Sequence, residues 1–139
     1  MKLLKLTVLP IILMFSVSAS ATIIDFKHMG NGFLGYGESA WAPLNLDADF
    51  GVDIDIEGYT SSGLAWAYLD TGEAGLGVCG AIQADKVNLV NQKRGGGQNL
   101  CDPPSDDNVS TTASEYLKLT FNESATIGNL WFNNNHDVD

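Results

Sequence analysis

Apolar and acidic residues alternate with a period of two along the stretch 44–57, and this pattern constrains the fold more than any other feature. The even positions are apolar: Leu44, Leu46, Ala48, Phe50, Val52, Ile54 and Ile56. The odd positions, apart from Gly51, are polar: Asn45, Asp47, Asp49, Asp53, Asp55 and Glu57. A strand directs alternate side chains to opposite faces, whereas a helical period of 3.6 would scatter the carboxylates. The pattern therefore excludes a helix and predicts a strand, or a strand pair bent at Gly51.

This register makes a testable statement about burial. Phe50, Val52, Ile54 and Ile56 are predicted to be buried, and Asp49, Asp53 and Asp55 are predicted to be exposed. An acidic outer face also discourages aggregation between sheet edges.

Four further stretches are predicted to be strands. They are the β-branched run 22–26, the alternating stretches 64–69 and 116–121, and the apolar run 127–132. Turn-rich stretches lie between them, at 30–37, 58–63, 70–77 and 91–114, and the last includes a triple glycine, 95–97, predicted to be flexible. Short strands with long loops indicate an all-β fold, specifically an antiparallel β-sandwich or jelly roll.

The amino terminus is typical of an export signal. Lys2 and Lys5 are followed by an apolar run, and Ala19-Ser20-Ala21 matches a small-x-small cleavage site. We therefore predict a signal peptide over 1–21 and a single β-sandwich domain over 22–139. The apolar run is too short to span a bilayer of about 30 Å, so the mature chain is expected to have no transmembrane segment.

The mature chain carries a strong negative charge. Removal of Lys2 and Lys5 leaves 5 basic against 17 acidic residues, a net charge of −12. A chain this acidic repels nucleic acid and anionic lipid head groups, so neither is expected as a partner. Divalent cations and neutral glycans are compatible with the charge.

Cys79 and Cys101 are the only two cysteines. In an exported protein such a pair is expected to be bridged, and the bridge would close a loop worth about 3 kcal/mol by the chain-entropy estimate. A zinc site is disfavoured because the two cysteines and two distant histidines lack finger spacing.

An oxygen-rich segment follows the second cysteine. Its candidate ligands are Asp102, Ser105, Asp106, Asp107 and Asn108. Calcium takes six to eight oxygen ligands, so the segment predicts a Ca²⁺ site formed chiefly by Asp102, Asp106, Asp107 and Asn108. The alternative is that these residues only form turns, which Asp, Asn and Ser also favour.

No catalytic residue is predicted. The acidic residues of 49–57 could in principle form a glycosidase pair, but a hydrolase needs one carboxyl group in an apolar pocket beside aromatic side chains. Tyr59 is the first aromatic at an odd position. Trp41, Trp66 and Trp131 are the first candidates for a sugar-binding platform, with Trp66 favoured as a core residue by its strand pattern.

Three segments carry a family resemblance: A-Y-L-D-T-G-E-A-G-L-G-V-C (67–79), C-D-P-P-S-D-D-N-V (101–109), and E-Y-L-K-L-T-F with the following N-L-W-F-N-N-N-H-D. Together they resemble the PEP-CTERM (exosortase-sorted) exported proteins of Gram-negative bacteria. The resemblance implies a non-catalytic extracellular β-sandwich associated with exopolysaccharide or biofilm matrix. The family's Pro-Glu-Pro tail, apolar span and basic cluster are not found before Asp139. Either the sequence is a fragment or the tail has been lost, and both readings leave room for a sandwich incomplete at its carboxyl end.

The sequence thus predicts a secreted or cell-surface protein, without enzymatic activity, that has a binding or structural role in the extracellular matrix. Extracellular polysaccharide is one candidate partner, and the family resemblance implies no established ligand. One alternative is a calcium-dependent carbohydrate-binding module, and a more distant one is a glycan hydrolase.

Overall fold

The computed structural model describes residues 21–72, 74–104 and 108–131. In these ranges, short strands are joined by turns and irregular loops. The strands within these ranges are β1 (Ser39–Trp41), β2 (Leu44–Asn45), β3 (Ile54–Thr60), β4 (Gly63–Asp70), β5 (Gly75–Cys79) and β6 (Tyr116–Phe121). The helical segments are α1 (Phe26–Gly30), α2 (Asp47–Phe50) and two 3₁₀ turns, Phe33–Gly35 and Val87–Leu89.

All of these strands pair antiparallel. β3 and β4 form a tight hairpin at the centre of the sheet, with Thr60 paired to Gly63. β4 also pairs with β1 and β5, whereas β3 pairs with β6 along one edge and with β2 along the other. The all-β class is therefore confirmed, and the stacked sheets of a sandwich or jelly roll remain a prediction.

The predicted continuous alternation over 44–57 is interrupted by α2, so the exclusion of a helix was wrong for Asp47–Phe50. The Asn45 side chain accepts a hydrogen bond from the backbone N–H of Asp47, and Gly51 ends the helix at φ 61°. Glycine adopts this left-handed conformation without steric cost, so the chain reverses there and β2 pairs back onto β3.

This local helix changes the burial of the alternating residues. Ile54 and Ile56 are buried as predicted, whereas Phe50 and Val52 are only half-buried. Asp53 and Asp55 were predicted to be exposed but are half-buried, because both accept hydrogen bonds from the Asn122 amide. Asp49 was predicted to be exposed on the acidic face, but it lies on α2. It accepts hydrogen bonds from Lys93 Nζ and Tyr36 Oη, each at 2.7 Å, and Lys93 holds the pKa of its carboxyl group below the usual value.

Strand predictions elsewhere had mixed outcomes. The alternating stretches 64–69 and 116–121 are strands, as predicted. The run 22–26 leads instead into α1, because the Asp25 side chain caps that helix by accepting from the backbone N–H of His28. Residues 75–77 were predicted to be a turn but begin β5. Residues 127–131 form no strand, and Phe132 lies outside the described residues.

Two apolar clusters lie on opposite faces of β4. Ala67 and Leu69 point into the first cluster, whereas Tyr68 points into the second, as the period of two requires. The first cluster comprises Met29, Tyr36, Trp41, Leu44, Leu46, Ile54, Ile56, Ala67 and Leu69. The second comprises Ala40, Tyr68, Cys79, Leu100 and Cys101. The second cluster is covered by the loop that the cysteines close.

The predicted disulfide between Cys79 and Cys101 is present, with 5.7 Å between the two Cα atoms. It ties the end of β5 to a segment 22 residues later in the chain. Ile82 bridges to Cys101 beside it, and Gln83 N donates to Leu100 O. An intramolecular disulfide is compatible with an oxidising compartment.

Two predictions concern export and membrane insertion. The predicted signal peptide lies outside the described residues except for Ala21. Within the part of the chain that is described, no helix combines the length and the apolar character needed to cross a membrane.

Candidate functional site

One face of the β2–β3–β6 region carries a continuous set of polar and aromatic side chains, here called the polar face. Alternation along β3 places Asp55, Glu57 and Tyr59 on the side opposite the buried Ile54 and Ile56. The polar face comprises Asn45, Asp53, Asp55, Glu57, Tyr59, Tyr116, Lys118, Thr120 and Asn122. Cross-strand pairing arranges these side chains in rows across the strands.

Amides and carboxylates form one end of the polar face. Asn122 Nδ2 donates to Asp53 Oδ1 at 2.9 Å and to Asp55 Oδ2 at 3.2 Å. Asn45 Nδ2 donates to Asp55 Oδ1 at 2.8 Å from the other side. Each carboxylate oxygen has more than one lone pair, so these groups retain acceptor capacity toward a ligand.

An ion pair forms the middle row. Lys118 Nζ lies 2.9 Å from Glu57 Oε2, and the hydrogen bond to this carboxylate raises the pKa of Lys118. Tyr59 Oη donates to the same oxygen at 3.3 Å. Such an exposed pair contributes little to stability. Its effect is to hold a cationic donor and an acceptor side by side on the face.

Two stacked tyrosines form the other end. The rings of Tyr59 and Tyr116 are nearly parallel, 3° apart in orientation, with centroids separated by 4.9 Å. Tyr116 is 52% exposed, and the neighbouring Leu64, which pairs with Tyr59, is 63% exposed. An aromatic plane held open to solvent beside fixed polar groups offers both an apolar stacking surface and hydrogen bonds.

The predicted tryptophan platform does not form. Trp41 is buried in the first apolar cluster, and Trp66 is half-buried against the second. Trp131 is 79% exposed but lies on the segment that follows β6 rather than on the polar face. The tyrosines could not be found from local pattern alone, because Tyr59 and Tyr116 meet only through the long-range pairing of β3 with β6.

The predicted calcium ligands are only partly described. Asp102 and Asn108 are exposed, and their backbones are held in place: Asp102 N donates to Ala81 O, and Val78 N donates to Asn108 O. Ser105, Asp106 and Asp107 lie outside the described residues. Among the residues that are described, no group of three or more His, Cys, Asp or Glu side chains could hold a metal ion. The Ca²⁺ site remains a prediction.

A buried acid lies away from the polar face. Burial raises the pKa of the Glu38 carboxyl group, whose Oε1 accepts from Tyr68 Oη at 2.8 Å. Leu100 N donates to the same Tyr68 oxygen at 3.1 Å. These contacts join the residue before β1 to β4 and to the disulfide-closed loop, so they form a structural network.

Family models, curated proteins and solved structures were each compared with this chain, and none matched. The function must therefore be inferred from the chemistry of the polar face itself.

Proposed function

We propose that this chain is an exported, non-catalytic surface or extracellular-matrix protein of a Gram-negative bacterium, and that it binds polysaccharide through the polar face. The observation that carries the proposal is the parallel pair of the half-buried Tyr59 and the exposed Tyr116, flanked by carboxylate, amide and ammonium groups. The resemblance to PEP-CTERM exported proteins supports the same compartment and partner.

The polar face can contact both the apolar C–H groups and the hydroxyl groups of a sugar ring. The C–H groups on one face of a pyranose are apolar and pack against an aromatic plane such as Tyr116. Sugar hydroxyls both donate and accept, and they are met by the acceptors Asp55 and Glu57 and by the donor Lys118. The shallow form of the face suits a long, flat polymer rather than a small enclosed ligand.

Charge restricts the class of polysaccharide. The polar face carries three carboxylates, Asp53, Asp55 and Glu57, against one ammonium group, Lys118. The predicted mature chain as a whole has a net charge of −12. Polymers rich in uronic acid, sulfate or phosphate would be repelled. We therefore assign neutral polysaccharides as the ligand class.

The surface does not favour hydrolysis. A glycosidase keeps one carboxyl group protonated in an apolar pocket. On the polar face, Asp53 and Asp55 share the Asn122 amide, and Glu57 pairs with Lys118. None of these three carboxylates lies in an apolar pocket, and all three are placed to accept hydrogen bonds from sugar hydroxyls. Glu38, the buried acid, faces Tyr68 in the interior.

Binding to a panel of neutral and anionic polysaccharides tests the proposal, with affinity electrophoresis followed by calorimetry. Tyr116→Ala should weaken binding to the neutral ligand by about tenfold or more, a loss of about 1.4 kcal/mol. Tyr116→Phe keeps the ring and should retain binding. Trp131→Ala is the matched control, since it removes a more exposed aromatic from outside the face.

Three outcomes would contradict the proposal: no binding to any neutral polysaccharide, equal loss in the Tyr116→Ala and Trp131→Ala variants, or turnover of the ligand. A chelator arm separates the calcium-dependent alternative. Binding through the polar face alone should survive EDTA, whereas a calcium-dependent module should lose binding and regain it when Ca²⁺ is restored.

A further inference from the structure

The outer edge of β6 is open. Asn122 N donates to Asp53 O at 2.9 Å, so Asp53 and Asn122 form a hydrogen-bonded pair in the β3–β6 ladder. Hydrogen-bonded and non-hydrogen-bonded pairs alternate in antiparallel sheets, so the backbone groups of Leu117, Leu119 and Phe121 point away from β3. Across the described ranges, β3 is the only strand that pairs with β6.

The apolar side of this edge opens onto a concavity that later residues of the same chain also line. Leu117 and Phe121 are half-buried against the first apolar cluster, and Leu119 is 39% exposed. Residues 123–131, here called the strap, follow β6 and line the same concavity. Every residue of the strap is exposed. Both the sheet side and the strap side of the concavity therefore carry incompletely covered apolar groups.

The strap has the composition and the position to cover this edge. Ile127 is 54% exposed, Leu130 is 63% exposed and Trp131 is 79% exposed. Glu123 is the only charged residue of the strap, so its docking brings little charge to an acidic protein. Because the strap is covalently joined to β6, its effective concentration at the edge is on the order of millimolar or more.

We infer that the strap closes onto the open edge of β6 in a second conformation, in which residues 127–131 add an antiparallel strand over the concavity. The connection begins at a fixed point, since the Asn122 side chain donates to both Asp53 and Asp55. Pairing of Ile127 with Phe121 leaves the five residues 122–126 as the connection. Connections of this length are common in β-hairpins.

The apolar side chains of the strap agree with this register. With Ile127 opposite Phe121, Trp131 lies opposite Leu117, and both strap side chains point to the apolar face. A shift by one residue would turn Ile127 and Trp131 onto the polar face. Leu130 would then be the one large apolar side chain of the strap over the concavity, so the first register covers the larger apolar surface.

Closure would extend the sheet by one strand beyond β6. It would cover the side chains of Leu117, Leu119 and Phe121 and pair their outward backbone groups. The polar face lies on the opposite side of β6 and would stay accessible, because alternate residues of a strand point to opposite faces. Closure of the strap and polysaccharide binding can therefore each occur without the other.

Hydrogen exchange of the predicted mature chain, measured by NMR, tests the closure. The amides of Leu117, Leu119 and Phe121 should be protected, and their exchange should not depend on protein concentration, because the pairing lies within one chain. Ile127→Asp and Trp131→Asp should each speed this exchange by about tenfold or more, since each places a carboxylate on the apolar face. The amide of Gln83, which donates to Leu100 O in the disulfide-closed loop, reports whether each variant remains folded.

Leu130→Asp is the matched control. It adds the same charge to the same segment but on the side away from the concavity, so the three β6 amides should stay protected. Rapid exchange of these amides in the original chain overturns the inference, and so does protection that Ile127→Asp and Trp131→Asp leave intact. Equal loss of protection in Leu130→Asp also overturns it. Protection that grows with protein concentration would show that a second molecule, rather than the strap, covers the edge.

Discussion

Glu38 shows at the residue scale how the environment changes an ordinary carboxyl group. It lies on the buried side of the sheet, where the Tyr68 hydroxyl donates to it at 2.8 Å. Desolvation is the main cause of its raised pKa, and the nearby Asp70 carboxylate acts in the same direction. Arg94, Lys86 and the Tyr68 hydrogen bond oppose this shift without cancelling it.

The raised pKa of Glu38 predicts a specific pH dependence of stability. The folded state holds the Glu38 proton more tightly than the unfolded state, so this contribution is fully present below the ordinary value of 4.5. It is lost as the pH rises through the raised folded value. Glu38→Gln keeps an acceptor for Tyr68 and removes the ionisation.

Thermal unfolding of the original chain and of the Glu38→Gln variant, measured from acidic to neutral pH, tests this pH dependence. The Tm of Glu38→Gln relative to that of the original chain should be higher at neutral pH than at pH values below 4.5. A constant difference in Tm over the whole range would show that Glu38 does not titrate in this way.

At the scale of elements, β3 links the apolar core to the polar face. Ile54 is 4% exposed and contacts the first cluster, whereas Asp53 beside it accepts a hydrogen bond from Asn122 at the surface. One strand therefore supplies apolar core contacts through its even residues and the polar groups of the proposed binding surface through its odd residues. A shift by one residue would exchange the two roles.

Paired substitutions test this division. Ile54→Ala should lower the free energy of unfolding by about 2–5 kcal/mol, the range seen when large aliphatic side chains are removed from a core. Asp53→Asn retains an acceptor for Asn122 and should change stability by less than about 0.5 kcal/mol. Urea denaturation gives both values, and a larger loss for Asp53→Asn than for Ile54→Ala would contradict the observed register.

At the scale of the whole molecule, the acidic charge and the disulfide-closed loop bear on the predicted Ca²⁺ site. The disulfide anchors Cys101 next to Asp102, and Val78 N holds the backbone oxygen of Asn108. Both ends of the predicted calcium loop are therefore tied to β5. A cation there would also relieve repulsion within a chain of net charge −10.

Calcium should raise the stability of the protein. Extracellular calcium modules bind with Kd of about 10⁻⁴–10⁻³ M, and a hundredfold excess over Kd adds about 2.7 kcal/mol. Melting is compared in Ca²⁺, Mg²⁺ and Na⁺ at equal ionic strength. The rise should be selective for Ca²⁺ and absent in Asp106→Ala and Asp107→Ala, but retained in the control Asp85→Ala. An equal rise in all three salts would leave the loop residues as turn formers.

Local patterns were sufficient to predict the all-β class, the disulfide and the burial of Ile54 and Ile56. The alternation in β4 and β6 and the burial of Ile54 and Ile56 follow from side-chain periodicity, which each strand expresses without reference to its neighbours. The cysteine pairing followed because only one pairing of two cysteines exists.

Tertiary structure decided what depends on contacts between distant segments. The triple glycine 95–97, predicted to be flexible, packs closely instead: Gly95 N donates to Gly35 O, and a side chain at Gly97 would collide with the Glu38 backbone. The reversal at Gly51 broke an alternation that looks continuous in sequence. The polar face requires Tyr59 and Tyr116, 57 positions apart, to be paired across β3 and β6. Periodicity reports which way a side chain points along its own strand, whereas only strand pairing determines which side chains stand beside it.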